Sequence, residues 1–457
     1  MNTAFHPVDL FIIFLYLAVL LGLGFFRSSR KSDDAEDYLL AGRRLSILPF
    51  TASLVATWYG GILGVGEFTY LYGISNWVVF GLPYYVFAFL FAIFFSGKIR
   101  GQNFTTIPDR FYANYGKGAG ILSSIFVIIL TSPAPYILSV GILLQLIFNI
   151  ALLPAVIIST LFSLIYIYKG GFRSVIRTDI LQFALMFGGF ILIVIYAASE
   201  FGGFNSLESS LPENHFSWNG GNSTFYILAW FFIALWTFVD PGFYQRCAAA
   251  ESPTTAKKGI FISILFWAVF DFLTLATGLY ARMILPEIEN PLFAIPALGT
   301  EILPPIVLGL FFAGLLATIM STVDSFGFLS AITFGRDLVW KNWRQSDDPV
   351  KWTRIGLILT GIVSLILAWL LPSVVDLWYA IGSVVVPGLL IPFLLTFSDK
   401  KVPVGTVMVM GLSATASLVW FIVGQIFGSV PWGIEPFYPG IGVSLVWLGY
   451  NSLSLKK

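Results

Sequence analysis

Apolar runs long enough to cross a lipid bilayer follow one another from Pro7 almost to the end of the chain, broken only by short clusters of charge, glycine and proline. A membrane-spanning helix needs about 20 mostly apolar residues. The runs read as thirteen spans: 7–26, 46–73, 76–97, 119–149, 151–168, 174–198, 223–247, 258–284, 303–333, 352–371, 374–396, 404–427 and 436–452. Composition agrees, since 57% of the 457 residues are hydrophobic and only 11% are charged. Soluble domains carry about 25% charged residues. The predicted fold class is therefore an all-α polytopic membrane protein of about thirteen transmembrane helices. A soluble enzyme, a disordered hub and a nucleic-acid binder are excluded, and a net charge of +1 leaves no basic field for a phosphate backbone. The first run is too long for a signal-peptide core and reads as a retained span. Cys247 stands alone, so no intrachain disulfide is expected. His6 and His215 fall in or near loops, which argues against a histidine metal site or proton relay.

The basic residues sort by loop. With thirteen spans, 24 of the 25 lysines and arginines fall on one side, and the other side holds only Arg282. Positively charged loops stay in the cytoplasm. The N-terminus is expected outside and the C-terminus inside, in a multi-pass protein of the plasma membrane (the inner membrane in a bacterium). No phosphate-binding loop, nucleophile elbow or zinc-protease helix motif occurs.

Carboxylates inside a membrane are costly and usually functional. Glu67, Asp179, Asp240, Asp271 and Asp324 are the candidates. Glu67 lies toward the outer end of its span, where it can reach water. Asp271 is explained as well by a hydrogen bond to a neighbouring helix as by function. Ser321, Asp324 and Ser325 share one helix face, with Thr322 beside Ser325 in the same way. Such an oxygen-rich face suits a hard cation such as Na⁺, although hydroxyls alone also serve to join helices.

Two spans look broken. The second carries Ala56-Thr57-Trp58-Tyr59-Gly60-Gly61, where adjacent glycines permit unwinding. The seventh carries Asp240-Pro241-Gly242, where the proline removes an amide donor. Unwound backbone at membrane depth is tolerated where it lines a cavity. The breaks are five helices apart, so these two helices run in opposite directions. That is the pattern of two inverted five-helix repeats. The repeats are expected at 46–200 and 201–398. Residues 1–45 and 399–457 then supply a first helix with its loop, and two last helices with a short tail.

The segments Asp37-Tyr38-Leu39-Leu40-Ala41-Gly42-Arg43, Gly170-Gly171-Phe172 through Thr178-Asp179 to Gln182, Pro241-Gly242-Phe243-Tyr244-Gln245-Arg246 and Met320-Ser321-Thr322 together resemble the sodium:solute symporter family, which includes sodium-coupled sugar, proline, sialic acid and choline carriers. The resemblance implies Na⁺ coupling and alternating access. It maps a main sodium site to the carbonyls of Ala56, Tyr59 and Thr318 and the hydroxyls of Ser321 and Thr322. It maps a second site to Asp179, Asp324 and Ser325, together with Ser321. A small organic solute would sit between the two breaks, near Trp58, Tyr59, Glu67, Tyr84, Trp236, Asp240 and Phe243. The Ala56-Thr57-Trp58 segment and Tyr84 resemble choline carriers, and aromatic faces attract quaternary ammonium groups. Pro133-Ala134-Pro135, however, stands where such carriers have a cage tryptophan. The implied partners are the solute, Na⁺ and the lipid bilayer. Three alternatives stay open: proton coupling through Asp179 or Asp324, a transporter-like sensor or channel, and an aspartyl intramembrane enzyme built on the same pair.

Overall fold

The structure, a computed structural model, describes residues 5–25, 35–370, 373–398 and 405–454. Helices dominate because, without water in the bilayer core, each backbone amide and carbonyl must be satisfied within its own segment. Among the described residues the only β-type pairing is an isolated bridge between Leu45 and Ala250. The principal helices are α1 (Pro7–Phe25), α2 (Ile47–Ala56), α3 (Ile62–Tyr72), α4 (Leu82–Phe94), α5 (Ile107–Leu130), α6 (Ala134–Phe148), α7 (Leu152–Phe201), α8 (Thr224–Ile233) and α9 (Pro241–Ala249). They continue with α10 (Pro253–Ile284), α11 (Val307–Ile332), α12 (Pro349–Leu370), α13 (Val374–Leu395), α14 (Thr406–Phe427) and α15 (Phe437–Ser454).

Among the described residues, ten helices are long and apolar enough to cross a membrane, and eleven if the bent pair α2–α3 counts as one span. The expected thirteen is not reached. The 151–168 run appears as a shorter apolar stretch, Leu152–Ile165, and the 436–452 run falls in α15, which is not among the ten. The runs at 151–168 and 174–198 meet inside α7, where Gly171 adopts φ +59° and ψ −155°. A Cβ there would lie 2.6 Å from the Tyr38 ring, so this turn needs a glycine.

Helix α11 runs through the centre of the bundle. From Leu308 onward almost every residue is buried, and its main neighbour is α7. Its N-terminal amides would be orphaned in an apolar surrounding. Asp9 of α1 answers them: its Oδ1 accepts from Ile306 N at 2.8 Å and from Gly309 N at 3.0 Å. The first helix, expected to lie outside the two repeats, is thus tied to the central one. Helices α14 and α15 pack on α13, partly through Ile391, Val409 and Trp447.

The basic residues need two corrections. Arg246 and Arg110, sorted by sequence with the loop charges, are 0% and 1% exposed. Arg110 donates from Nε and Nη2 to the Thr396 hydroxyl and carbonyl at 2.9 and 2.8 Å. Arg27, Arg30, Lys31, Lys400, Lys401, Lys456 and Lys457 lie outside the described residues.

The first break is a bend of 57° between α2 and α3. Gly60 and Gly61 have φ of −57° and −93°, conformations open to any residue. The helix is interrupted there as expected, and what requires glycine at these two positions is space. A Cβ on Gly60 would stand 2.4 Å from Thr322 Cβ, and one on Gly61 would stand 1.7 Å from Trp378 Cζ2. Overpacking of this kind costs about 1–3 kcal/mol. Gly61→Ala is expected to lower the thermal midpoint of the purified protein. Gly61→Ala/Trp378→Leu should lose less than the two single changes added together. Strict additivity in melting curves would contradict the contact.

Candidate sodium and solute sites

Helix α2 ends at Ala56, and a tight turn, Thr57–Tyr59, precedes the bend. A helix end leaves carbonyls without intrahelical partners. The turn lies against α11, where Ser321 and Thr322 are fully buried. The Thr322 hydroxyl donates to the Thr57 carbonyl at 2.7 Å. The Ser321 hydroxyl donates to Asp179 Oδ1 at 2.6 Å, and the Thr318 hydroxyl bonds back to Gly314 O at 2.7 Å. The structure therefore brings the Ala56–Tyr59 stretch and the Ser321–Thr322 pair into direct contact. Both hydroxyl oxygens keep acceptor capacity for a cation while donating. The donor set of carbonyls and hydroxyls fits a hard monovalent ion.

One helical turn away, Arg246 of α9 is fully buried among hydroxyls. Its Nη2 donates to Ser53 Oγ at 2.9 Å, Thr57 Oγ1 at 2.8 Å and Ser325 Oγ at 2.7 Å, and it stands 3.6 Å from Asp179 Oδ2. Ser53 also donates to that Asp179 oxygen at 2.5 Å. Asp179, Ser321 and Ser325 thus meet as expected, with a guanidinium between Asp179 and Ser325. Asp324 is fully buried on the same helix, within electrostatic range of Tyr16 of α1. Sequence reasoning missed Ser53, Thr57 and Arg246. The cue for Arg246 was available: it falls inside the 223–247 run, not beyond it.

The second break is built differently. Asp240 is extended (φ −71°, ψ 117°), and its Oδ1 accepts from Phe243 N at 2.9 Å, capping α9 at Pro241. Between the two breaks lies a cavity of about 90 Å³. Trp58, Tyr59, Tyr84, Trp236 and Asp240 line it as expected. Phe243 and Glu67 are not part of its wall. Phe243 is buried behind it, with its ring centroid 5.8 Å from that of Trp58 and 5.6 Å from that of Trp267. Glu67 sits half-buried on α3, within the field of Asp376. The wall also contains Thr57, Asn76, Tyr136, Trp230, Asp271 and Trp378. Asp271 accepts from the Tyr59 hydroxyl at 2.8 Å and from the Tyr85 hydroxyl, so it both joins neighbouring helices and faces the cavity.

A bent helix, a capped second break and a hydroxyl-bearing central helix define an inverted-repeat membrane transporter. Its solved relatives share that frame. The chain superposes on a Na⁺-coupled sialic acid symporter, captured substrate-bound and outward-open, with a TM-score of 0.79 at 19% identity, covering 99% of this chain and 98% of the other. It also superposes on a nucleobase-cation-symport-1 family transporter with a TM-score of 0.60 at 12% identity, covering 93% of this chain and 96% of the other. The sodium:solute symporter family profile matches residues 38–412, and the chain belongs to that family. Similar proteins include the human high affinity choline transporter 1, 26% identical over 96% of this chain and 80% of that protein. The sodium/pantothenate symporter of Haemophilus influenzae is 27% identical over 94% of this chain and 95% of that one. The sodium/glucose cotransporter of Vibrio parahaemolyticus is 25% identical over 86% and 81%. The protein is a sodium-coupled solute symporter, not an enzyme.

Removing one partner of a buried ion pair costs about 3–5 kcal/mol, because the other charge is left uncompensated. Asp179→Asn or Arg246→Gln alone should sharply lower the unfolding midpoint. The double variant should recover part of the loss, and a double-mutant cycle on thermal midpoints reads the coupling.

Proposed function

We propose that Na⁺ binds at the contact between the first break and α11, held by the carbonyls of Ala56, Tyr59 and Thr318 and the hydroxyls of Ser321 and Thr322. The observation that carries this reading is the Thr322 hydroxyl bonded to the Thr57 carbonyl, which joins the bend to the central helix at 2.7 Å. A cation there attracts both sides and favours the conformation in which they meet. The solute binds in the neighbouring cavity, whose wall includes Trp58, Tyr59, Tyr84, Trp236 and Asp240. Tyr59 belongs to both groups, so an ion on its carbonyl orders a cavity wall. Each ligand then raises the affinity for the other by the same factor. The ion gradient drives uptake, about 2.3 kcal/mol per charge for 100 mV plus the concentration difference.

Asp179, Asp324 and Ser325 form the second candidate ion site. A sodium ion there competes with a guanidinium already bonded to Ser325 at 2.7 Å. The main site is therefore filled first. The repeats are assigned to 46–200 and 201–398, with 1–45 and 399–457 outside them. The charge sorting supports an external N-terminus and a cytoplasmic C-terminus in the plasma membrane.

A ligand that binds only the folded state raises its stability with concentration. NaCl is expected to raise the thermal midpoint of the purified protein above that in equal KCl. In Ser321→Ala/Thr322→Ala the half-saturating Na⁺ concentration should rise about tenfold, the equivalent of about 1.4 kcal/mol. An unchanged sodium response in that variant refutes the site assignment.

A further inference from the structure

Against the back of α11, between α1 on one side and α6 with the first half of α7 on the other, lies a slot of about 560 Å³. That volume is in the range of ligand pockets, about 300–1,000 Å³. Its floor is formed by Leu316 and Met320 of α11, which are 0% and 2% exposed. Its rims reach the outer surface of the bundle, where Phe14, Ala18 and Ile158 are exposed. The Phe14 and Phe148 rings bridge the two sides, with centroids 5.6 Å apart. Among the described residues no charge lines the slot. Its one side-chain hydroxyl, on Ser159, donates to the Val156 carbonyl at 2.9 Å within its own helix.

Such a space does not hold water, which needs about two to four polar partners. A helix of a second copy, about 10–12 Å across with its side chains, is too thick to reach the floor. The medium around these spans is hydrocarbon, and the local geometry favours its entry. The apolar part of α7 ahead of Gly171, Leu152–Ile165, rises about 21 Å at about 1.5 Å per residue, against about 30 Å of bilayer hydrocarbon. A span that falls short is made up by distortion of the lipid beside it. Left empty, the slot would deprive its walls of the dispersion contacts that other buried side chains have.

The floor lies where filling matters. Met320 directly precedes Ser321 in α11. The Tyr16 hydroxyl of α1 donates to Met320 Sδ at 3.9 Å and accepts from Gln182 Nε2 of α7 at 3.3 Å. A methionine side chain is flexible and adapts to the space beside it, so whatever fills the slot decides how firmly this side of α11 is held. We propose that the slot is a binding site for one acyl chain of a bilayer phospholipid, which braces α11 behind Ser321. The binding stands on the slot alone; its effect on sodium rests on the sodium site proposed above.

The test uses the protein in dioleoylphosphatidylcholine vesicles doped with a phosphatidylcholine that carries a diazirine on one acyl chain. After illumination, peptide mass spectrometry maps the adducts. Ordinary boundary lipid reaches the exposed Leu15 and Val19, whereas only a chain inside the slot reaches Leu316 and Met320. Adducts on both pairs are expected. Ala18→Trp/Leu21→Trp, which fills the slot from its rim, should lose the α11 adducts and keep those on Leu15 and Val19. Leu15→Trp/Val19→Trp, outside the slot, should keep the α11 adducts. Their absence from wild type, or their persistence in Ala18→Trp/Leu21→Trp, overturns the site. Adducts that vanish as the protein is packed more densely in the vesicles assign the slot to a second copy and overturn the proposal as well. The sodium dependence of the thermal midpoint is read in parallel in detergent, with and without dioleoylphosphatidylcholine. The phospholipid should lower the half-saturating Na⁺ concentration of wild type but not of Ala18→Trp/Leu21→Trp, whose own sodium response shows that it is folded. An unmoved value in wild type overturns the bracing. A protein with no sodium response at all counts against the sodium site, while the adducts still decide the slot.

Discussion

A guanidinium enclosed at the centre of a membrane bundle sets the terms for everything packed around it. Arg246 is fully buried. Its charge is tolerated only because Asp179 and three hydroxyls surround it, from Ser53, Thr57 and Ser325. Those groups come from α2 and its following turn, from α7 and from α11, while the arginine itself sits on α9. Four elements drawn from both proposed repeats are thereby committed to one charge. The Ser321–Asp179 and Thr322–Thr57 hydrogen bonds then follow from the same register of α11. A shift of any of these helices by one residue would leave a charge unpaired in an apolar interior, a cost of several kcal/mol.

Space is the second constraint. The aromatic residues, 17% of the chain, build a chain of ring contacts that starts in the wall of the central cavity and runs behind it, from Tyr84 through Trp58 and Trp267 to Phe243. Against such bulk, close approach is possible only where a side chain is missing. Gly60 and Gly61 meet that need, letting Thr322 and the Trp378 ring reach the bend. The break and α11 are therefore matched by volume as well as by hydrogen bonds.

Much of this was legible in the sequence. The apolar runs announce membrane helices, and the Gly-Gly and Asp-Pro-Gly interruptions mark the two breaks. Ser321, Asp324 and Ser325 stand out as an oxygen-rich helix face at membrane depth, whereas the roles expected of Thr322 and Asp179 come from the resemblance to the family. The misses have a common cause. Periodicity tells which face of a helix is apolar but not which distant helix meets it. Arg246 was read as a loop charge because its compensating groups lie 67 to 193 positions away in the chain, from Asp179 to Ser53. Asp271 looked ambiguous because Tyr59 and Tyr85 reach it from other helices. Phe243 and Glu67 were placed at the cavity by proximity to the breaks, yet one is buried behind the wall and the other is half-buried on α3 away from it. The count of thirteen is not confirmed by helix length and hydropathy alone, because the 151–168 run forms a shorter apolar stretch ahead of the kink at Gly171.

The link between Asp9 and the start of α11 has a practical side. The same helix that begins with this cap carries Thr318, Ser321 and Thr322 some two to four turns further on. Pulling or twisting α1 thus loads the end of α11 directly. A bulky fusion partner joined close to Pro7, or a nanobody that grips the first helix, acts on α11 by a mechanical lever, whereas the same partner attached after α15 meets α14, α13 and α8 first.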